Sequence, residues 1–166
     1  MDLTEAAAKA DALAQAGGGE RELATLRSQW DDEIEGGARS GDFRVRAVAF
    51  RAVGQFRFRQ KVELLRRGLD DESPACRGAS LLSLELLSRD HPGDVNALRP
   101  LLHRLVDADP NAAVRRLAVL CLRNGSFSAD TATLLLGLAD DDDADAQLRA
   151  AAKQVAATLK KKSGPR

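Results

Sequence analysis

Few residues in this 166-residue chain carry the side chains that catalysis or metal binding needs. The two histidines are His91, in a His-Pro-Gly turn, and His103, in a segment whose leucines recur at helical spacing. Neither has a Cys, Ser or carboxylate at a spacing typical of a catalytic triad or a zinc site. Cys76 and Cys121 lie in apolar helical patterns and match no metal-ligand spacing. We therefore expect no enzymatic activity, no cofactor and no bound metal.

The run from Asp140 to Asp143, followed by Asp145, brings several carboxylates together. A calcium loop of the EF-hand type also needs a glycine and a distant bidentate glutamate, and neither is present. We expect a solvated turn between two helices, in which Asp145 caps the last helix and complements its dipole.

The densest charge in the chain is a basic block over residues 38–67, where nine Lys and Arg stand against two acidic residues. Residues 1–37 have the opposite balance, with nine acidic and three basic residues, and the whole chain has no net charge. Phe56 and Phe58 interleave with the cations, which suits a surface that grips phosphates. Alternatively, the cations are solvated or pair with the acidic helix that precedes them. The candidate nucleic-acid contacts are Arg44, Arg57, Arg59, Lys61, Arg66 and Arg67.

The elements that hold these residues are predicted to be helices throughout, because Ala and Leu are abundant, aromatic residues make up 4% and Tyr is absent. An apolar share of 44% is enough for a packed core. The predicted helices cover 2–16, 20–35, 43–54, 57–69, 74–88, 95–106, 111–123, 129–139 and 146–160. Gly17–Gly19 and Gly36–Gly37 are predicted to end the first two helices. Without a secretory signal or a membrane-length apolar stretch, we expect a cytoplasmic protein with no membrane contact.

The predicted helices contain an internal repeat. Four segments align without gaps on one arginine, which is Arg46, Arg77, Arg115 and Arg149. Four positions earlier stands a helix N-cap residue, which is Asp42, Ser73, Asn111 and Asp145. One position earlier stands an apolar residue, which is Val45, Cys76, Val114 and Leu148. Three positions later stands a small residue, which is Ala49, Ser80, Ala118 and Ala152. Each segment is expected to be the second helix of a helix pair, and the small residue to let adjacent second helices approach closely.

The stretches GDFRVRAVAFRAVG, ESPACRGASLLSLELL, DPNAAVRRLAVLCL and DADAQLRAAAKQVAATL resemble HEAT repeats of the bacterial, phycobilisome-lyase-like kind. The resemblance implies an all-α, right-handed α-solenoid of about four helix pairs, preceded by one N-terminal helix. It also implies that the repeated arginines are structural and bond acidic or carbonyl groups in the turns between repeats. The expected organisation is an N-terminal helix and glycine linker over 1–19, a HEAT-like domain over 20–160 and a disordered tail over 161–166.

The repeat register also predicts a binding surface. Positions one and five after the repeated arginine share a helix face and avoid the apolar offsets, so this face should line the concave side of a solenoid. Leu82 and Leu120 would be unusually exposed there, although they could equally widen the core stripe. The candidate partner-binding residues are Arg51, Leu82, Arg116, Leu120 and Gln154.

The function expected first is a non-catalytic scaffold or adaptor that binds a protein partner on this rigid surface, as a monomer or weak homo-oligomer. The first alternative is a nucleic-acid-binding protein that uses the basic 39–67 patch. DNA glycosylase activity of the alkylpurine type is not supported, because the chain has one Trp and no Tyr. Further alternatives are a toxin-neutralising immunity or inhibitor protein, and a chaperone-lyase role like that of bilin-attaching HEAT proteins.

Overall fold

A computed structural model describes residues 1–164, and every regular element among them is helical. The prediction of an all-α chain is confirmed. The helices are α1 (Leu3–Gln15), α2 (Glu20–Ala38), α3 (Phe43–Gln55), α4 (Val62–Leu69), α5 (Pro74–Ser88), α6 (Pro92–Ala108), α7 (Ala112–Leu122), α8 (Ala129–Ala139) and α9 (Ala146–Lys162). A short 3-10 turn, Arg59–Lys61, precedes α4.

The predicted N-cap residues begin the helices that carry the repeated arginines. The side chains of Asp42, Asn111 and Asp145 each accept a hydrogen bond from a backbone N–H in the first helical turn, at 2.9, 3.0 and 3.1 Å. These bonds satisfy donors that a helix start leaves without an intrahelical partner. Ser73 stands directly before Pro74, the first residue of α5, and a proline suits that position because it has no N–H to satisfy.

The prediction that Gly36 and Gly37 end the second helix is wrong. Helix α2 continues through both glycines to Ala38. Gly17 and Gly19 do behave as predicted, because their φ angles of 76° and 79° lie in the left-handed region and separate α1 from α2. A helix tolerates glycine at a modest cost, so a pair of glycines alone does not fix where it ends.

The last helix is longer than predicted. Helix α9 ends at Lys162, so the first two residues of the predicted 161–166 tail are helical. The Nζ of Lys162 donates to the carbonyl oxygens of Arg123 and Gly125 at 2.6 and 2.9 Å, which ties this end of α9 to the turn after α7. Ser163 caps the end of α9 and Gly164 follows it without regular structure, while residues 165 and 166 of the predicted tail lie outside the described residues.

The chain divides into two compact units, Met1–Leu87 and Ser88 onward. In the N-terminal unit, α1 packs on α2 and α3 through three alanines, Ala6, Ala7 and Ala10, each at most 1% exposed. The first helix is therefore docked in this unit. The largest fully buried side chains of the unit are Ile34, Phe50, Phe56, Leu65, Leu69, Leu81 and Leu84.

Glycines and serines set the closest helix contacts of the N-terminal unit. The N–H of Gly54 in α3 donates to the Ser83 hydroxyl of α5 at 2.9 Å, and a Cβ added to Gly54 would lie 2.5 Å from the Ser83 Cα. A Cβ on Gly68 in α4 would lie 1.9 Å from the Ser80 hydroxyl oxygen. Ser80 is one of the predicted small residues, but this close approach is to α4, the helix before its own, whereas the repeat predicted an approach between second helices.

In the C-terminal unit, α6, α7, α8 and α9 pack around a leucine-rich core. Its largest fully buried side chains are Leu98, Leu102, Leu122, Leu135 and Leu148. The predicted small residues Ala118 and Ala152 are completely buried here, as Ala49 and Ser80 are in the N-terminal unit. The small position of the repeat therefore faces the interior in all four copies.

Candidate functional site

The first repeated arginine joins its own helix, α3, to the turn between α4 and α5. The Arg46 guanidinium donates from Nε and one terminal nitrogen to the two carboxylate oxygens of Asp71, at 2.9 and 3.0 Å. Its other terminal nitrogen donates to the Ser40 carbonyl oxygen at 3.0 Å. Both side chains of the ion pair are nearly buried, at 12% and 11% exposure. Burial raises the pKa of Asp71, but hydrogen bonds from Arg46 and from the Ser73 N–H outweigh it, so the net pKa is lowered.

The other three arginines each contact the segment just before their own helix, either a turn or the last turn of the preceding helix. Arg77 donates to the carbonyl oxygen of Asp71 at 2.9 Å, so that Asp71 links two successive repeated arginines. The Nε of Arg115 donates to the carbonyl oxygen of Val106 at 2.7 Å. Arg149 lies 3.7 Å from the Asp142 carboxylate, and its buried Nε has no hydrogen-bond partner. These contacts agree with the structural role that we expect for the arginines.

A further repeated position, six residues before each arginine, was not predicted. It holds Ser40, Asp71, Asp109 and Asp143. The side chains of the first three accept a hydrogen bond from the N–H of the N-cap residue two positions later, at 3.1, 2.8 and 2.9 Å. In the fourth copy Asp143 instead donates its own N–H to the Asp141 carboxylate at 3.0 Å. An aspartate at one offset in three copies was the sequence signal for this turn.

The basic block does not form one exposed surface. Lys61 is 9% exposed, and its Nζ lies 2.5 and 2.7 Å from the carboxylates of Asp31 and Glu35 in α2. Burial lowers the pKa of Lys61, but the hydrogen bonds to both carboxylates overcome this effect and the net pKa is raised. Arg57, with a left-handed φ of 52°, donates to Asp11 of α1 at 2.8 Å. Pairing with the acidic helix over 20–35, one of the two alternatives from the sequence, accounts for Lys61, whereas Arg57 pairs with the first helix instead.

The aromatic part of the basic-block prediction is wrong. Phe56 is fully buried and Phe58 is 8% exposed, so neither ring is presented to a nucleic acid. Phe58 instead packs beneath the Lys61 ammonium, which lies 4.8 Å from the ring centroid. The exposed candidate cations are Arg44, Arg59, Arg66 and Arg67. Arg66 already contacts Glu63 at 3.1 Å, one helical turn away.

Two of the candidate partner-binding residues lie on neighbouring helices of the N-terminal unit. Leu82 in α5 is 40% exposed, whereas Leu81 and Leu84 on either side of it are fully buried. Arg51 in α3 is half-buried, and its buried Nη1 makes no hydrogen bond. The Ser83 hydroxyl donates to the Arg51 carbonyl oxygen at 3.0 Å, which fixes the two helices at this level. Burial lowers the pKa of Arg51, and the charge of Arg57 acts in the same direction.

The other three candidate partner-binding residues lie in the C-terminal unit. Arg116 and Leu120 of α7 are half-buried, and Gln154 of α9 is exposed. Leu120 is thus less exposed than the register predicts, whereas Leu82 is exposed as expected. The repeat register alone does not set the exposure of a leucine, because the width of the covered stripe differs between helices.

The residues that could do chemistry make structural contacts. The Nε2 of His103 lies 2.7 Å from the buried Thr131 hydroxyl of α8. Burial, together with the charge of Arg99, lowers the pKa of His103. Cys76 and Cys121 are free thiols in the core, and burial raises the pKa of Cys76. Within residues 1–164, no group of three or more His, Cys, Asp or Glu side chains is arranged to hold a metal ion.

The architecture is that of a helical-repeat protein, with paired helices and a recurring arginine that bonds the turns. Residues 34–107 match the family model for HEAT repeats, and this segment is similar to that family. The all-helical fold and this match are those of the α-solenoid class. Neither the curated proteins nor the solved structures include a match to the chain. HEAT repeats generally act as protein-interaction scaffolds, and the family is typically non-enzymatic. None of the helices within 1–164 has the length and apolarity needed to cross a bilayer.

Proposed function

We propose that this protein is a non-catalytic interaction module that binds a protein partner through the second-helix face of its repeats. The observation that carries the proposal is the exposure of Leu82 in α5, next to the residue whose hydroxyl bonds the Arg51 carbonyl oxygen of α3. An exposed leucine on one helix and a half-buried arginine on the neighbouring helix supply an apolar contact and a charge to a partner. The predicted face also includes Arg116, Leu120 and Gln154 in the C-terminal unit.

The partner should carry an apolar side chain next to a carboxylate. A carboxylate of the partner would pair with the charge of the half-buried Arg51 side chain. The apolar side chain would cover Leu82 and remove its exposed surface from water. Because the helices are already packed through Ser83, docking orders little additional backbone and so loses little conformational entropy.

The test is affinity capture from the native host lysate with the full chain as bait, followed by mass spectrometry. We expect one protein to be captured in stoichiometric amount by the wild type and by Leu136→Glu, and to be lost with Leu82→Glu. Leu136 is the matched control, because it is 54% exposed on α8, outside the predicted face. Circular dichroism checks that both variants remain folded. Capture that Leu82→Glu leaves unchanged would refute this face as the binding surface.

Nucleic-acid binding by the basic patch is the alternative that the same experiment separates. Exposed Arg59, Arg66 and Arg67 support it, whereas burial of Lys61 and of both phenylalanines weighs against it. Material lost after nuclease treatment or at high salt, and abolished by charge reversal at Arg66 and Arg67, would favour this alternative. A toxin-neutralising inhibitor would use a surface of the same kind as a scaffold. The identity of the captured protein distinguishes the two.

A further inference from the structure

An open groove lies within the N-terminal unit, away from the Leu82 surface. It has a volume of about 770 Å³ and is bounded by the start of α1, the end of α2 and the first two turns of α3. Its walls include Leu3, Glu33, Gly36, Arg44, Val45 and Val48. This volume falls in the range of ligand and peptide pockets, which is several hundred Å³.

The groove exposes a position that the other repeats bury. Val45 precedes the repeated arginine of the first copy and is 45% exposed. The equivalent residues Cys76, Val114 and Leu148 are 0%, 2% and 0% exposed. Cys76 is covered by the start of the preceding repeat helix, because its thiol contacts the Phe43 carbonyl oxygen at 3.3 Å. In the first copy an apolar side chain that the repeat is built to cover is therefore left open.

Helix α1 occupies this region but does not fill it. Its packed residues are alanines, which have too little side-chain volume to cover a neighbouring valine. Val48, one helical turn after Val45, is also 37% exposed. Gly36 leaves the opposite wall bare, since a Cβ added there would meet nothing within 4 Å. The groove thus exposes an apolar strip about one helical turn long on α3, which faces Gly36 and Gly37 of α2.

The groove is lined by two carboxylates of the acidic N-terminal segment that internal ion pairs do not neutralise. Lys61 pairs with two carboxylates of α2. Three other carboxylates of the segment pair with Arg57, Arg27 and Lys9. The groove carboxylates Asp2 and Glu33 have no such ion pair among the described residues. Asp2 only caps α1, through the Glu5 N–H at 2.8 Å. One cation, Arg44, also lines the groove, and its guanidinium lies over the Phe43 ring.

We infer that this groove is a second docking site, which binds an amphipathic helix of a protein partner whose apolar stripe is flanked by Lys or Arg. Apolar side chains one turn apart on such a helix would cover Val45 and Val48, and its cations would face Asp2 and Glu33. An acidic amphipathic helix would place like charges against these carboxylates. The inference goes beyond the Leu82 surface and uses none of its residues.

The probe is a synthetic 15-residue peptide of Leu and Lys at helical amphipathic spacing, compared with a peptide in which every Lys is Glu. Titration calorimetry and amide shift mapping on the full chain are the measurements. We expect the Lys peptide to bind at least tenfold more tightly than the Glu peptide, with shifts concentrated in residues 33–48. Equal affinity for the two peptides, or shifts centred elsewhere, would overturn the inference.

Three variants sharpen the test. Val48→Asp should weaken the Lys peptide at least tenfold, and so should Gly36→Phe, which fills the groove from the opposite wall. Glu33→Lys, at an exposed position that folding tolerates, should reverse the preference between the peptides. Asp142→Lys is the matched charge control, because Asp142 is fully exposed and lies outside the groove. If Asp142→Lys weakens binding as much as Glu33→Lys does, the attraction is not specific to the groove and the inference fails. Leu82→Glu should leave peptide binding unchanged.

Discussion

Replacing Gly54 by alanine tests whether the packing of α3 on α5 depends on one missing methyl group. The added Cβ would lie 2.5 Å from the Ser83 Cα and 2.9 Å from its Cβ. Carbon atoms normally stay about 3.5 Å apart, so the two backbones must separate by about 1 Å at this point. A backbone atom is the nearest obstacle, and no side-chain rotation relieves it.

The expected cost follows from the contacts that this separation disturbs. Overpacking of this kind costs about 1–3 kcal/mol. The hydrogen bonds of Ser83 to the Gly54 N–H and the Phe50 carbonyl, at 2.9 and 2.6 Å, would be strained or lost. Each contributes about 0.5–1.5 kcal/mol. The helix preference of alanine over glycine returns about 1 kcal/mol. We therefore expect Gly54→Ala to lower the free energy of unfolding by about 3 kcal/mol.

The assay is urea unfolding followed by the fluorescence of Trp30, the single tryptophan of the chain, which lies on α2 and so reports on the N-terminal unit. Gly36→Ala is the matched control, because it also lies in a helix but its added Cβ meets nothing within 4 Å. This control should raise stability by about 0.5–1 kcal/mol. If Gly54→Ala unfolds at the same urea concentration as Gly36→Ala, the close approach of α3 and α5 is not what stabilises the unit.

A second glycine provides an internal comparison. A Cβ on Gly68 meets a side-chain atom first, the Ser80 hydroxyl oxygen at 1.9 Å. Removing that oxygen with Ser80→Ala should therefore recover part of the stability lost in Gly68→Ala. In contrast, Ser83→Ala should recover little in Gly54→Ala, because the obstructing Cα remains. The two double variants distinguish a side-chain obstruction from a backbone one.

Three further changes test the buried polar contacts. Asp71→Asn should lower stability at pH 7, because the lowered pKa of Asp71 confers stability that is present above about pH 4 and lost as the pH falls through its folded value. The difference between wild type and variant should therefore shrink as the pH falls below about 4, and urea unfolding across this range measures it. Lys61→Met should lower the free energy of unfolding in urea at pH 7 by about 1–2 kcal/mol. This is less than for a fully buried ion pair, because the two carboxylate partners of Lys61 are partly exposed. The lowered folded pKa of His103 means that its protonation favours the unfolded chain, so the wild type should lose stability as the pH falls below about 6.5. His103→Gln keeps a polar contact to Thr131 and should not show this loss. Thermal melts between pH 5 and 8 measure that difference.

The sequence predicted the helices well because their ends are marked by local chemistry. Capping side chains and prolines act within a few residues of themselves, so Asp42 and Pro74 are readable without a structure. The glycines were harder to interpret. Gly36 and Gly37 look like a helix end, yet both are helical. The space beside each of them depends on tertiary packing. Gly54 shows the reverse case, since its importance comes from Ser83, 29 residues away.

The candidate sites were predicted only in part, for a similar reason. Charge blocks are visible in sequence, but which cations remain exposed depends on partners elsewhere in the chain. Lys61 is the clearest example, because it is buried against two carboxylates 26 and 30 residues earlier. Likewise, Phe58 reads as part of a basic surface and lies instead in the core. The repeat register did not settle the exposure of Leu82, since the equivalent Leu120 is half-buried, and it did not predict the exposure of Val45, since its equivalents are covered.

Helix α3 belongs to both proposed docking surfaces, and its two halves explain why they are separable. In its C-terminal half, Ala52 and Val53 are buried, and the Ser83 hydroxyl of α5 bonds the backbone of this half. The backbone that carries Arg51 is therefore held in place. Its N-terminal half leaves Val45 and Val48 uncovered beside the acidic end of α2. One surface offers the charge of Arg51, and the other offers the carboxylates of Asp2 and Glu33. The two therefore select partners of opposite charge, and a substitution at one half of α3 need not affect binding at the other.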